Sequence, residues 1–145
     1  MDSEYRMDEK LELTVIAVLE NYEKVAGFVE GELEKRDVPM QAMAQIGIAL
    51  DEIYTNVAKY AYFGREQGEV TVRLDFTPEI TQVKMTISDR GIPYDPLKRP
   101  DPDVTLEAEQ RQIGGLGIYM VKKLMDEVSY EYRDEMNILR MLKVF

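Results

Sequence analysis

Glu52, Asn56 and Lys59 lie at i, i+4 and i+7 in the run Asp51-Glu52-Ile-Tyr-Thr-Asn56-Val-Ala-Lys59-Tyr60. On a helix this spacing gathers them on one face, about 100° round from the apolar pair Ile53 and Val57. Polar groups that border a core stripe can line a cleft. Glu52 could take a proton from an attacking hydroxyl or water. Asn56 offers a neutral oxygen of the kind Mg²⁺ accepts beside phosphates and waters. An ordinary solvated helix face shows the same spacing.

Two later stretches could complete such a site. Ser88-Asp89-Arg90-Gly91-Ile92-Pro93 follows a strand pattern. An Asp at a strand end, with Gly next but one, lets backbone approach a flat ring while the carboxylate accepts a hydrogen bond from an exocyclic amino group. Such a charge-assisted bond contributes roughly 1.5–3 kcal/mol. Asp and Gly are also what turns use. Gly114-Gly115-Leu116-Gly117 precedes a helical pattern, and the free N–H groups of a helix N-terminus favour anions. It fits neither the P-loop nor the Rossmann glycine pattern, and a hinge would use the same glycines. Together the three stretches suggest an ATP site that is not of the P-loop kind.

Composition narrows the rest. The 145 residues suit one domain, 1–145. With no cysteine and no histidine, disulfides, thiolate chemistry, imidazole acid–base work and an internal phosphohistidine are all excluded. There are 28 acidic and 18 basic residues, for a net charge of −10. That field repels nucleic-acid backbones and favours a basic protein partner. No apolar run approaches membrane-spanning length and the N-terminus lacks a signal-peptide core, so a cytoplasmic location is expected.

The elements that must position these residues are legible by period. Leu11, Leu13 and Val15 alternate as a strand over 10–16. Asn21 can cap a helix carrying Val25, Phe28, Val29 and Leu33, which Arg36-Asp37 break. Pro39 fits the first turn of a longer helix that runs to about Tyr62, with Ile46, Leu50, Ile53 and Val57 as its core stripe, Tyr60 as a further candidate and Gly64 as its end. Val70 to Phe76 and Val83 to Ile87 read as a hairpin about Thr77-Pro78-Glu79 with one wet face. A lid is expected over about 92–113, where four of the six prolines fall. A third helix then shows Ile118, Val121, Leu124 and Met125. A last strand pair, Val128 to Tyr132 and Ile138 to Phe145, turns at Asp134-Glu135. The expected fold class is an α/β (α+β) two-layer sandwich, with a mixed, mostly antiparallel sheet and helices on one face.

The three stretches resemble the N, G1 and G2 boxes of the GHKL ATPase superfamily. Ala49-Leu50-Asp51-Glu52-x-x-x-Asn56, Ile87 to Pro96 and Ile113 to Lys122 resemble most the small bacterial anti-sigma-factor serine/threonine kinases. The resemblance covers nearly the whole chain. It implies a Bergerat-type fold that binds ATP and Mg²⁺, with Glu52 as general base, Asn56 as the magnesium ligand and Asp89 reading the adenine amino group. Gly91 would sit under the base, and Gly115 and Gly117 would hold the phosphates. Lys59, Ile92, Pro93, Gly114 and Leu116 would complete the nucleotide site, and Arg111 could reach the terminal phosphate from the lid. At Tyr60 this group commonly has His, and Asn-Val-Ala-Lys-Tyr is similar instead to the Asn box of sensor histidine kinases.

Such kinases bind and block a sigma factor and phosphorylate an antagonist protein on Ser or Thr. Many work as homodimers, and an apolar strand edge or the first helix could supply that contact here. Two other readings keep the same features: a non-catalytic module that holds nucleotide and sequesters a regulatory partner, and an ATPase or histidine-kinase catalytic domain.

Overall fold

Residues 11–98 and 115–145 are described by the structure, a computed structural model. The first alternating run forms strand β1 (Leu11–Ile16), and a 3₁₀ turn at Leu19–Asn21 leads into helix α1 (Tyr22–Lys35). Asn21 stands at the N-cap position but its side chain donates to Ile16 O at 2.9 Å, so it ties the helix to β1 rather than capping it. The break at Arg36-Asp37 is a Schellman closure. Val38 N donates to Leu33 O at 3.2 Å and Asp37 N to Glu34 O at 3.0 Å, with Asp37 at φ 55° where glycine is the usual residue. Leu33 and Val38, the apolar pair of that motif, are both buried.

Helix α2 (Met40–Asn56) follows Pro39, which sits one residue earlier than expected, at the N-cap with extended ψ. Its buried residues Ala42, Ile46, Ala49, Leu50, Ile53 and Tyr54 keep the helical period. Beyond Asn56 the chain continues as a π turn over Val57–Ala61 and ends near Gly64, whose φ is +81°. The stripe therefore stops at Ile53 and half-buried Val57, while Tyr60 is 60% exposed.

Strands β2 (Glu69–Phe76) and β3 (Gln82–Asp89) form the expected hairpin, and helix α3 (Gly115–Leu124) leads to β4 (Glu127–Arg133) and β5 (Met136–Val144). The sheet order is β1-β2-β3-β5-β4, and every neighbouring pair is antiparallel. The α3 crossover from β3 to β4 could have given a parallel pair, but β5 lies between those two strands. Leu74, Met85 and Met141 sit in register across β2, β3 and β5 and are buried in one core with Val25, Ile46 and Val121 of the described helices. Each such aliphatic side chain contributes roughly 1.5–3 kcal/mol on leaving water. The opposite face is polar: the Thr14 and Thr71 hydroxyls meet at 2.8 Å, and Arg140 pairs with Glu131 at 2.8 Å.

The β4–β5 turn is tight. Asp134 and Glu135 both take positive φ, 54° and 64°, as a mirror-image hairpin turn requires, without the usual Asn-Gly. Arg90 Nη1 donates to Asp134 O at 3.3 Å, which ties this turn to the exit of β3. The end of β3, the end of α2 and the start of β5 thus meet at one edge of the molecule.

Candidate nucleotide site

A cleft of about 270 Å³ opens at that edge. One wall is the end of α2 and the π turn, through Ile53, Asn56, Val57 and Tyr60. The floor comes from Ile87 and Leu139, and the far wall from Ile92, Pro93 and Tyr94. Most of this lining is apolar and suits a flat ring. The π turn shapes the near wall, as such turns often do at functional sites. Its carbonyls are satisfied from outside: Ala58 O accepts Gln67 Nε2 at 3.2 Å, and Ala61 O accepts Ile92 N at 2.7 Å.

Asp89 lies in this cleft, 6% exposed. Its Oδ1 accepts Gly91 N at 2.8 Å and Asn137 Nδ2 at 2.9 Å. Oδ2 has no partner among the described residues. A buried carboxylate oxygen without a donor is costly unless a ligand supplies one. Burial pushes the Asp89 carboxyl above its ordinary range, against the two hydrogen bonds that favour the ionised form.

Asn137 is the residue that the sequence reading missed. It lies opposite Asp89 in the β3–β5 register and is itself buried. Its Nδ2 also donates to Ile92 O at 3.0 Å, while Oδ1 accepts Tyr94 N at 3.1 Å and the Tyr130 hydroxyl. One side chain thereby fixes Asp89 and the loop over 91–94 together. The available signal was Asn137 in phase with the buried Leu139 and Met141, a polar residue at an inward position. A strand taken to begin at Ile138 hid it.

Gly91 does not line the cleft. It is buried against the π turn, and a Cβ there would fall 2.2 Å from Ala61 O. We expect Gly91→Ala to destabilise the fold by about 1–3 kcal/mol through this overpacking against backbone. Chemical denaturation of the purified variant checks this, and an unchanged midpoint would contradict it.

Glu52 lies outside the cleft lining, one turn of α2 before Asn56, which lines it. Asn56 Nδ2 donates to Glu52 Oε2 at 3.3 Å, which leaves Asn56 Oδ1 with no partner among the described residues. The Glu52 carboxylate presses on the first turns of α3: a Cβ on Gly117 would fall 1.9 Å from Oε2. Only glycine admits it so close. Gly115 and Leu116 form the start of α3. Gly114, Arg111 and residues 99–113 of the lid expected over about 92–113 lie outside the described residues. Asp89, Asn56, Glu52 and Gly117 therefore follow one another along a continuous path from the apolar cleft to a helix N-terminus.

Lys59 is the outlier. It is exposed and absent from the cleft lining, because the wider π turn breaks the i, i+4, i+7 phase after Asn56. Ile92 and Pro93 do line the cleft.

These residues fit a purine nucleotide with its cation. An apolar slot holds one unpartnered acceptor for a ring amino group. An amide oxygen without a partner among the described residues stands next to the carboxylate that packs on the first turns of α3. No cluster of three or more acidic residues that could hold a metal occurs among the described residues, so a cation here would take its remaining ligands from phosphate and water.

Residues 15–143 match the family model described as histidine kinase-like ATPase domain. A protein named serine-protein kinase RsbW from Listeria monocytogenes serovar 1/2a is 33% identical over 103 residues; the match spans 68% of this chain and 64% of that protein. The RsbW of Bacillus cereus is 24% identical over 135 residues, 90% of this chain and 82% of the other. Among solved structures, the RsbU and RsbW domains of Rv1364c from Mycobacterium tuberculosis superpose with a TM-score of 0.64 at 14% identity, covering 92% of this chain and 32% of that one. The histidine kinase domain of Erythrobacter litoralis EL346 gives 0.54 at 17% identity, covering 82% and 60%. At these identities the two structures speak for the fold alone.

Proposed function

We propose that this chain, which belongs to the histidine kinase-like ATPase domain family, is an ATP-dependent protein serine/threonine kinase that also acts as an anti-sigma factor. The relatives' name supports the acceptor chemistry. The observation that carries the reading is the placement of Glu52: outside the apolar slot, joined to Asn56, and against the N-terminal turns of α3. A base that must act on an incoming hydroxyl belongs at the phosphate end, away from the ring.

Asp89 Oδ2 would accept the amino hydrogen of the adenine, held in orientation by Asn137 and the Gly91 N–H. Ile53, Val57 and Leu139 would exclude water from the ring. The first backbone N–H groups of α3 would face the phosphates. Asn56 Oδ1 would hold the cation, and Glu52 would take the proton from the acceptor's hydroxyl. Magnesium, when bound, neutralises phosphate charge that the chain's own net charge of −10 would otherwise repel.

The partners proposed are a sigma factor and an antagonist of the anti-sigma factor, the second being the phosphoryl acceptor. The test incubates the protein with γ-labelled ATP and candidate antagonists. Label on a Ser or Thr of one antagonist is the expected outcome. Free phosphate without labelled protein would make it a hydrolase, and ATP binding without either product would leave a sequestering module.

A further inference from the structure

A second and larger hollow, about 750 Å³, runs between α1 and α2, away from the nucleotide cleft. The two helices form an antiparallel hairpin in which Tyr22, at the start of α1, packs on Tyr54 near the end of α2 with ring centroids 5.7 Å apart. Ala26, Val29, Met43, Gly47 and Leu50 make an apolar floor. On its α2 side the groove runs from Met40 to Asp51, twelve residues and so about 16 Å, or three helical turns. Met40 is 85% exposed and Ile48 47% exposed, both on the groove.

Its rim carries one sign of charge. Glu30, Glu34, Asp37 and Asp51 line it, and no lysine or arginine is among the lining residues. None of the four makes an ion pair among the described residues. The basic residues at the end of α1 are engaged elsewhere: Lys35 and Arg36 pair with Glu32 at 3.3 and 2.8 Å, and Glu32 does not line the groove.

Gly47 adds an independent observation. It sits mid-helix, where glycine is the poorest former after proline, and a Cβ there would meet nothing within 4 Å. Packing among the described residues gives no reason for glycine at that position. Gly47 lines the groove, so a long side chain there would occupy it.

We infer that the α1–α2 groove is a docking site for a basic amphipathic helix of a partner protein. Apolar side chains at helical spacing would enter the floor, and lysines or arginines on its flanks would meet the acidic rim. A second copy of this chain is disfavoured, since it would bring a matching acidic rim against this one. The inference does not depend on phosphoryl transfer, because no residue of the groove lines the nucleotide cleft.

The experiment titrates the full chain against a fluorescein-labelled peptide of Lys and Leu, with Leu at helical spacing over roughly three turns. Anisotropy should report saturable binding that weakens as salt rises from about 50 to about 300 mM. Gly47→Met, which plugs the floor, and the double variant Glu30→Lys/Glu34→Lys, which inverts the rim, should each weaken it by roughly tenfold or more. ATP affinity should stay the same in both. Should Gly47→Met unfold, the double variant decides. Three results would overturn the inference: affinity unchanged in the variants, equal binding of a peptide with the Leu spacing scrambled, or sedimentation showing a dimer of this chain that the groove variants dissociate.

Discussion

Glu52→Ala should lower the rate of phosphoryl transfer to a protein acceptor by about 10²–10⁴-fold, the range that a positioned general base supplies. Nucleotide affinity should hardly change, because Glu52 lies outside the apolar slot that would grip the base. Glu52→Gln sharpens the test. Glutamine keeps the size, keeps an oxygen for Asn56 and still fits against Gly117, yet it cannot take a proton. A role in proton transfer predicts equal loss in both variants. A role in packing predicts that glutamine restores the rate. Initial rates with labelled ATP, set beside calorimetric affinities, separate the two.

Asp89→Asn should weaken nucleotide binding by about 10–150-fold, corresponding to one charge-assisted hydrogen bond of roughly 1.5–3 kcal/mol. An asparagine can keep its oxygen toward Gly91 N and Asn137 Nδ2. Its amide nitrogen then faces the cleft and presents a donor to the incoming amino group. Equal affinity in calorimetry would remove Asp89 from the recognition role.

The same carboxyl makes a pH prediction with two opposed signs. Burial raises its pKa in the folded state, so the folded chain binds this proton more readily than the unfolded one. Above the raised pKa the ionised group costs stability, and that cost is relieved as pH falls through it. Nucleotide affinity should move the other way, falling over the same interval as the acceptor is protonated. Melting curves of the free protein and of Asp89→Asn, compared across acidic to neutral pH, isolate the first effect; ATP titrations of the unaltered protein isolate the second.

Much of this arrangement was readable from period alone. Alternation placed β2 and β3 and assigned Val72, Leu74, Met85 and Ile87 to the inner face, because each strand has one covered face and one polar face. Helical spacing found Ile46, Leu50 and Ile53. What escaped depended on contacts between distant segments. Lys59 was set beside Asn56 on the assumption of 3.6 residues per turn, and the π turn invalidates that assumption. The carbonyls that the turn leaves over find partners on Gln67 and Ile92, which no local pattern announces. Asn137 was passed over since its importance lies in being opposite Asp89, a fact of strand pairing. Gly117 was read as a phosphate-facing glycine, and its nearness to Glu52 is a tertiary contact between α2 and α3.

The widened turn after Asn56 also sets which length changes the chain can tolerate. Between β2 and β3 an extra residue at Thr77–Thr81 would simply lengthen a surface bend. Removing one residue from Val57–Ala61 would let α2 continue with ordinary winding. Tyr60 and Ala61 would then swing round the axis, and the 2.7 Å bond from Ile92 would have no acceptor. Related chains should therefore vary freely in length at the hairpin tip and hardly at all in the five residues that follow Asn56.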